Sequence, residues 1–194
     1  ASREFDKAKN QNNLTDEIAK WNFNAENIGM FNDEITATDE SNNGYIGTFK
    51  NNAKPRTIGI TTLYNVLDLG NGTGYFDMGT EIGEEIYKLS NYTVSAYFRV
   101  HESNSDINAT GNCIWNFSNS SNVSSDKNGY IFGSLRNQNQ HISPGYWATG
   151  EQYVVGNGYP AIKGAWQHIA YTQNGEIGSI YINGKLKARG TVTH

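Results

Sequence analysis

An all-β fold, with antiparallel strands stacked in two sheets, is the fold class this sequence predicts, and three observations predict it. The first is composition. The 194 residues include 24 aromatics (4 Trp, 12 Tyr, 8 Phe), 21 Gly and 26 Asn, with only 18% charged residues. Aromatic side chains suit a pleated, half-buried surface, and Gly and Asn suit the turns that join short strands. The second is the segment Tyr92–Val100. Val94, Ala96, Phe98 and Val100 share one side of an extended chain, and Thr93, Ser95, Tyr97 and Arg99 share the other, which is the alternation of a strand with one buried and one wet face. The third is the stretch Trp166–Lys185. It reads as three strands joined by two tight turns, one at Gln173–Glu176 and one at Asn183-Gly184, a pair that suits a type I′ hairpin because both central residues need φ > 0.

Taken in order, residues 1–13 are polar and aperiodic and read as a leader or linker, with a frayed helical turn over Glu4–Lys9. Leu14–Phe23 introduces the domain, and Ala19–Phe23 alternates as a strand does. Asn24–Asn43 is rich in turn formers and is expected to be irregular, with a short strand at Tyr45–Phe49 after it. Asn65–Leu69 and Gly74–Met78 are two further strands with Gly-Asn-Gly-Thr between them, and Glu84–Leu89 is expected to make a helical turn. Beyond Tyr92–Val100, strands are expected at Asn112–Ser118 and Gly129–Leu135, separated by the Asn- and Ser-rich loop Asn119–Asn128. His141–Pro144 and Gln152–Val155 are expected to pair, and Gly156–Pro160 is another turn. The closing meander runs from Trp166 to about Ala188.

Hairpin physics does not demand Trp166 or His168. With Tyr181-Ile-Asn-Gly-Lys185 they resemble the W-x-H-x-A … Y-x-N-G-K signature of laminin G-like modules. Trp21-Asn-Phe23 is similar to the W-x-F strand that opens that family, Asp39–Gly44 to its D-x-S-G-N-G turn with Asn in place of the first Gly, and Tyr75–Gly79 to its Y-V-D-L-G strand. The resemblance implies a concanavalin A-like jelly-roll sandwich over residues 14–194. It also implies that the sandwich is C-terminally incomplete in this chain, because the family continues past N-G-K with closing strands. Those strands are expected in a downstream segment or a partner polypeptide.

Several function classes are excluded or given no support. A net charge of −4 with scattered Lys and Arg argues against a nucleic-acid partner, and no apolar run approaches the ~18 residues of a membrane span. Cys113 is the single cysteine, so there is no intrachain disulfide, and its setting between Asn112 and Ile114 predicts a small buried strand residue. Catalysis in jelly-roll relatives uses an E-x-D-x-x-E strand. The nearest approach is Glu81-Ile-Gly-Glu-Glu85, which lacks the middle Asp and reads as a solvated charge run. The four His show no zinc spacing, and no nucleophile elbow or phosphate loop is present. No catalytic residue is therefore assigned, and His168 reads as a packed, hydrogen-bonded strand residue.

Binding is the class the residues favour. The resemblance implies a calcium ion held by loop oxygens, and Asp39 and Asn42 match the family positions best, the alternative being an Asx turn closed by Asp39 alone. Sugars are recognised by exposed aromatic rings with nearby amides, and Tyr146, Trp147 and Tyr159 lie among Gly and Pro where such rings are expected. The reading is a non-catalytic carbohydrate-binding or accessory module for a polysaccharide or oligosaccharide, beside a downstream hydrolase domain. Its alternatives are a catalytic concanavalin A-like glycoside hydrolase and a protein-interaction or adhesion module. The segment Gly129–Gln138 looks like modules of gut Bacteroidetes glycan-utilisation proteins, which implies export to the periplasm or cell surface of a Gram-negative bacterium.

Overall fold

The computed structural model describes residues 17–70, 72–102, 113–118, 130–136, 141–147, 151–153 and 162–192. These divide into two compact units after Tyr87. The expected leader 1–13 and the Gly156–Pro160 turn lie outside the described residues.

The first unit contains strands β1 (Ile28–Phe31), β2 (Glu34–Thr38), β3 (Ile46–Lys50), β4 (Lys54–Ile58), β5 (Tyr64–Asp68) and β6 (Tyr75–Asp77), followed by helix α1 (Thr80–Tyr87). Four of the strands form an antiparallel sheet in the order β1-β2-β3-β6, and β4 and β5 form a separate hairpin. Asn32 and Asp33 both have left-handed φ (49° and 64°), the conformation a two-residue β-hairpin turn needs, so β1 folds directly back on β2. Ala37, Phe49 and Ala53 are buried at the centre, with Trp21, Phe23, Ile28, Leu67 and Phe76 packed around them. Phe76 meets Trp21, Phe23 and Phe49 edge to face at centroid distances of 5.6, 5.1 and 5.0 Å. Gly47 lies under this ring: a Cβ there would stand 2.2 Å from Phe76 Cζ, so only glycine leaves the space the ring fills.

Several sequence expectations for this unit need correction. Ala19–Phe23 is not a strand. Phe23 takes φ 57°, which breaks an extended run, and the segment instead drops Trp21 and Phe23 into the core while Trp21 Nε1 donates to Ala37 O at 3.2 Å. Asn24–Asn43 is not simply turn-rich: it carries β1 and β2. β4 was not anticipated, whereas the strands expected at Asn65–Leu69 and Gly74–Met78 are present as β5 and β6. β5 pairs with β4 and β6 with β3, and Leu67 and Phe76 both pack against the same apolar centre. The helical turn expected at Glu84–Leu89 is present as α1, a little earlier in the chain, burying Ile82 and Ile86 one turn apart.

The second unit comprises β7 (Asn91–Arg99), β8 (Cys113–Ser118), β9 (Tyr130–Arg136), β10 (His141–Trp147), β11 (Glu151–Tyr153), β12 (Trp166–Asn174), β13 (Ile177–Ile182) and β14 (Lys185–Thr191). They make two antiparallel sheets, β11-β10-β9-β8 and β14-β13-β12-β7. Trp115, Ile114 and Phe117 of β8 join Val94, Ala96, Phe98, Ile169, Tyr171, Ile180 and Ile182 of the other sheet in one core, so the unit is a two-layer sandwich. Alternation decides the faces. Along β12, Gln167, Ile169, Tyr171 and Gln173 are buried and the residues between them are not, and β7 alternates in the same way over all nine of its positions. Ile169 and Ile180 are completely buried, each stabilising the fold by roughly 1.5–3 kcal/mol.

Two buried polar side chains in this core are satisfied. Tyr171 Oη donates to Gln173 Oε1, and Gln173 Nε2 donates to Gly175 O at 2.6 Å and Val192 O at 2.9 Å. Burial raises the Tyr171 pKa well above that of an ordinary phenol. The meander is as expected, with Asn183 (φ 49°) and Gly184 (φ 74°) turning β13 into β14. β10 and β11 do pair, but through Gly145–Trp147 and Glu151–Tyr153 rather than through His141–Pro144, whose partner is β9. Cys113 is a strand residue, as expected, but it is exposed rather than buried: it begins β8, ahead of Trp115, the position that reaches the core.

Candidate functional site

The Asp39–Gly44 turn works as a clasp. Asp39 is buried; its Oδ1 accepts from Ser41 N at 2.7 Å and from Ser41 Oγ, and its Oδ2 accepts from Tyr45 N at 2.6 Å. That is the Asx-turn geometry of a short acid closing its own loop. Asn42 takes the left-handed backbone (φ 73°) that lets the loop close. The rest of the turn holds the segment that enters the core. Glu40 N donates to Lys20 O at 2.7 Å, Asn43 Nδ2 donates to Glu17 O and Ile18 O at 3.0 and 2.9 Å, and Ser41 Oγ, which gives its one proton to Asp39, lies 3.0 Å from Ile18 O. The Glu40 carboxylate accepts from three amides, Asn22 (2.7 Å), Asn24 (3.1 Å) and Asn27 (2.8 Å).

Calcium takes six to eight oxygens. The Asp39 oxygens accept from Ser41 N, Ser41 Oγ and Tyr45 N, so an ion held there would compete with these donors for them. Among the described residues no three His, Cys, Asp or Glu side chains are grouped to hold a metal ion.

Of the three aromatic residues expected to meet sugar, two lie in a described strand. Tyr146 and Trp147 hold successive positions near the end of β10, opposite Gln152 and Glu151 of β11. Tyr159 lies outside the described residues. Glu81 and Glu84 are exposed on α1, in keeping with the solvated charge run expected there.

The sequence reading did not single out the wet face of the β7–β12 pair as a site. Register sets His168 opposite Tyr97 and Trp166 opposite Arg99. The Tyr97 and His168 rings meet with centroids 4.6 Å apart and planes tilted by 49°. Tyr97 is 74% exposed and Trp166 45% exposed. The β13–β14 turn fixes the His168 backbone: His168 N donates to Asn183 Oδ1 at 2.9 Å, and Asn183 N donates to His168 O at 2.8 Å. Partial burial lowers the imidazole pKa below the ordinary histidine value, which favours the neutral ring. At the margin, Arg99 Nη2 lies 3.3 Å from Glu102 Oε1, so the cation opposite Trp166 has an anionic partner. The signal in the sequence was an aromatic, Tyr97, among Thr93, Ser95 and Arg99 on the side of the strand assigned to water.

The second unit, two antiparallel sheets packed face to face with aromatic rings left on its outer surface, has the architecture of a lectin-like β-sandwich. Residues 70–194 match the concanavalin A-like lectin/glucanases superfamily, and the chain belongs to that family. Among solved structures it is similar to domain 4 of AbnA, a GH43 extracellular arabinanase from Geobacillus stearothermophilus, determined in complex with arabinotriose. The TM-score is 0.54 at 20% identity, covering 79% of this chain and 69% of that one. No curated protein sequence matches the chain.

Proposed function

We propose that the chain is a non-catalytic carbohydrate-binding or accessory module of an exported bacterial glycoside hydrolase or glycan-utilisation protein. The observation that carries this reading is the likeness of its fold to an arabinanase domain whose solved structure holds a trisaccharide. Large rings left in water on one sheet face support it, since sugars are gripped by the C–H face of a pyranose or furanose laid on an aromatic. The extracellular setting of that arabinanase supports the export part of this reading. Placement in the periplasm or on the surface of a Gram-negative cell rests on the resemblance of Gly129–Gln138 alone.

The reading is tested by titrating the chain with arabinotriose and with neutral oligosaccharides of glucose, xylose and mannose, using calorimetry. Saturable binding to at least one, without release of shorter sugars on long incubation, is expected. Silence across the panel refutes binding, and hydrolysis refutes the non-catalytic assignment. Tyr146, Trp147 and Tyr159 are one set of stacking rings within this proposal, and Trp147→Ala with unchanged affinity removes Trp147 from it. Calcium at Asp39 and Asn42 is a further part, resting on the family resemblance, and an unchanged Tm on adding calcium or a chelator removes it.

A further inference from the structure

We propose that the outer face of the β7–β12 pair, at Tyr97, Trp166 and His168, is a stacking platform for a neutral oligosaccharide. The inference rests on the carbohydrate-binding reading and names a site and a ligand class for it. Three observations carry it, all within the second unit.

The first is exposure set against position. β12 lies inside its sheet, and alternate residues on it and on β7 turn Ile169, Tyr171 and the half-buried Phe98 to the core, yet positions between them hold the large rings of Trp166 and Tyr97 in water. The second is contiguity. Trp166 and His168 are two positions apart on one strand, roughly 7 Å, and Tyr97 sits directly across from His168 and diagonally from Trp166. The three rings therefore form one patch, locked on one side by the Tyr97–His168 ring contact.

The third is size and charge. At their stated exposures Tyr97 and Trp166 offer about 300 Å² between them, taking roughly 250 Å² as the full area of such a ring. That is well short of the ~800 Å² per partner of a stable protein interface, and it suits a small ligand. Ser95 lies two positions from Tyr97 on the same face, with Thr93 and Thr172 further along it to read hydroxyls, and the Arg99 charge opposite Trp166 is already matched by Glu102, which suits a neutral ligand.

The test uses the full chain and the oligosaccharide panel above, with tri-galacturonate added as an acidic probe. Tyr97→Ala and Trp166→Ala are each expected to lower affinity for the best neutral ligand tenfold or more, while Tyr97→Phe, which keeps the ring, holds it within twofold. Both alanine variants remove exposed side chains, and an unchanged Tm confirms that they fold. Wild-type binding that survives both substitutions, or that is lost only in Trp147→Ala, overturns the platform and leaves the carbohydrate reading standing. A preference for tri-galacturonate overturns the neutral class. A dimer in ultracentrifugation that Trp166→Ala dissolves assigns the face to a second copy and overturns the proposal. No binding by the wild type removes the parent reading, and the platform with it.

Discussion

Gly47→Ala is a sharp test of how the first unit is packed. The added Cβ would lie 2.2 Å from Phe76 Cζ, 2.4 Å from Cε1 and 3.1 Å from the Asp77 carbonyl oxygen. Carbon atoms rest at about 3.5–4.0 Å, so the Phe76 ring has to move by roughly 1.3 Å or more, or the strands have to part. Moving the ring is costly because Trp21, Phe23 and Phe49 meet it edge to face within 5.0–5.6 Å, and such pairs contribute about 0.5–1.5 kcal/mol each beyond their buried area. Overpacking of this kind costs about 1–3 kcal/mol, and Ala recovers up to about 1 kcal/mol of backbone entropy relative to Gly in a strand. The expected net loss is about 1–2 kcal/mol. The assay is urea unfolding followed by fluorescence and circular dichroism. It is run on Gly47→Ala, on Phe76→Leu and on the double variant, since the smaller side chain vacates the clashing volume. The clash predicts that Gly47→Ala is nearly neutral in the Phe76→Leu background, a coupling of at least ~1 kcal/mol. An equal loss in both backgrounds would refute the steric reasoning, as would a loss below ~0.5 kcal/mol in the native background.

Glu40→Gln replaces an acceptor for three Asn amides with a group that has one acceptor oxygen and one donor nitrogen. It is expected to cost about 1–2 kcal/mol and to shift Trp21 emission to longer wavelength as the 17–27 segment loosens; unchanged stability and emission would show that the clasp holds without its charge. His168 has its pKa lowered by burial, so the folded chain binds fewer protons there than the unfolded chain. Its contribution is therefore complete above the ordinary histidine value of 6.5 and is lost as pH falls below it through the lower folded value. Wild-type Tm should drop over that interval relative to His168→Gln, and parallel Tm–pH curves for the two proteins would dismiss the effect.

Much of the second unit was legible because local and global signals agree there. Asn183-Gly184 needs left-handed backbone, and the residues on either side alternate with period two, so turn and face are both determined locally. Tyr92–Val100 is legible for the same reason. β1 was hidden because its large side chains do not alternate between core and water: Met30 and Phe31 are 71% and 68% exposed on opposite faces of the hairpin. β4 was hidden by Pro55, which counts against a strand interior and is accommodated here in a two-stranded hairpin. The partners of β5 and β6 depend on where Leu67 and Phe76 find apolar company, which is a tertiary matter that no local window contains. The clasp was half legible: Asp39 was placed in a closing turn, but Glu40 as the meeting point of three amides depends on the path of residues 17–27. The adjacency of Tyr97 and His168 arises only when β7 and β12 are laid in register.

A strand with period-two alternation makes two demands on its sequence that need not compete. The inward positions of β12 are bound by the core: Ile169 has no accessible surface, and Gln167 and Gln173 are committed to hydrogen bonds. The outward positions answer to no such constraint, and folding alone would favour small β-branched or polar residues there, as Thr93 and Thr172 illustrate across the same pair. Trp166 keeps nearly half its surface in water, and Tyr97 keeps about three quarters, so most of the hydrophobic stabilisation those rings could contribute is not realised in the isolated chain. The Tyr97–His168 contact recovers only a small part of it. Rings of this size on a face that the fold leaves free are where a ligand gains most by covering them. Because the paired strands β7 and β12 hold them, with His168 fixed by the Asn183 turn, little ordering cost is left for binding to meet.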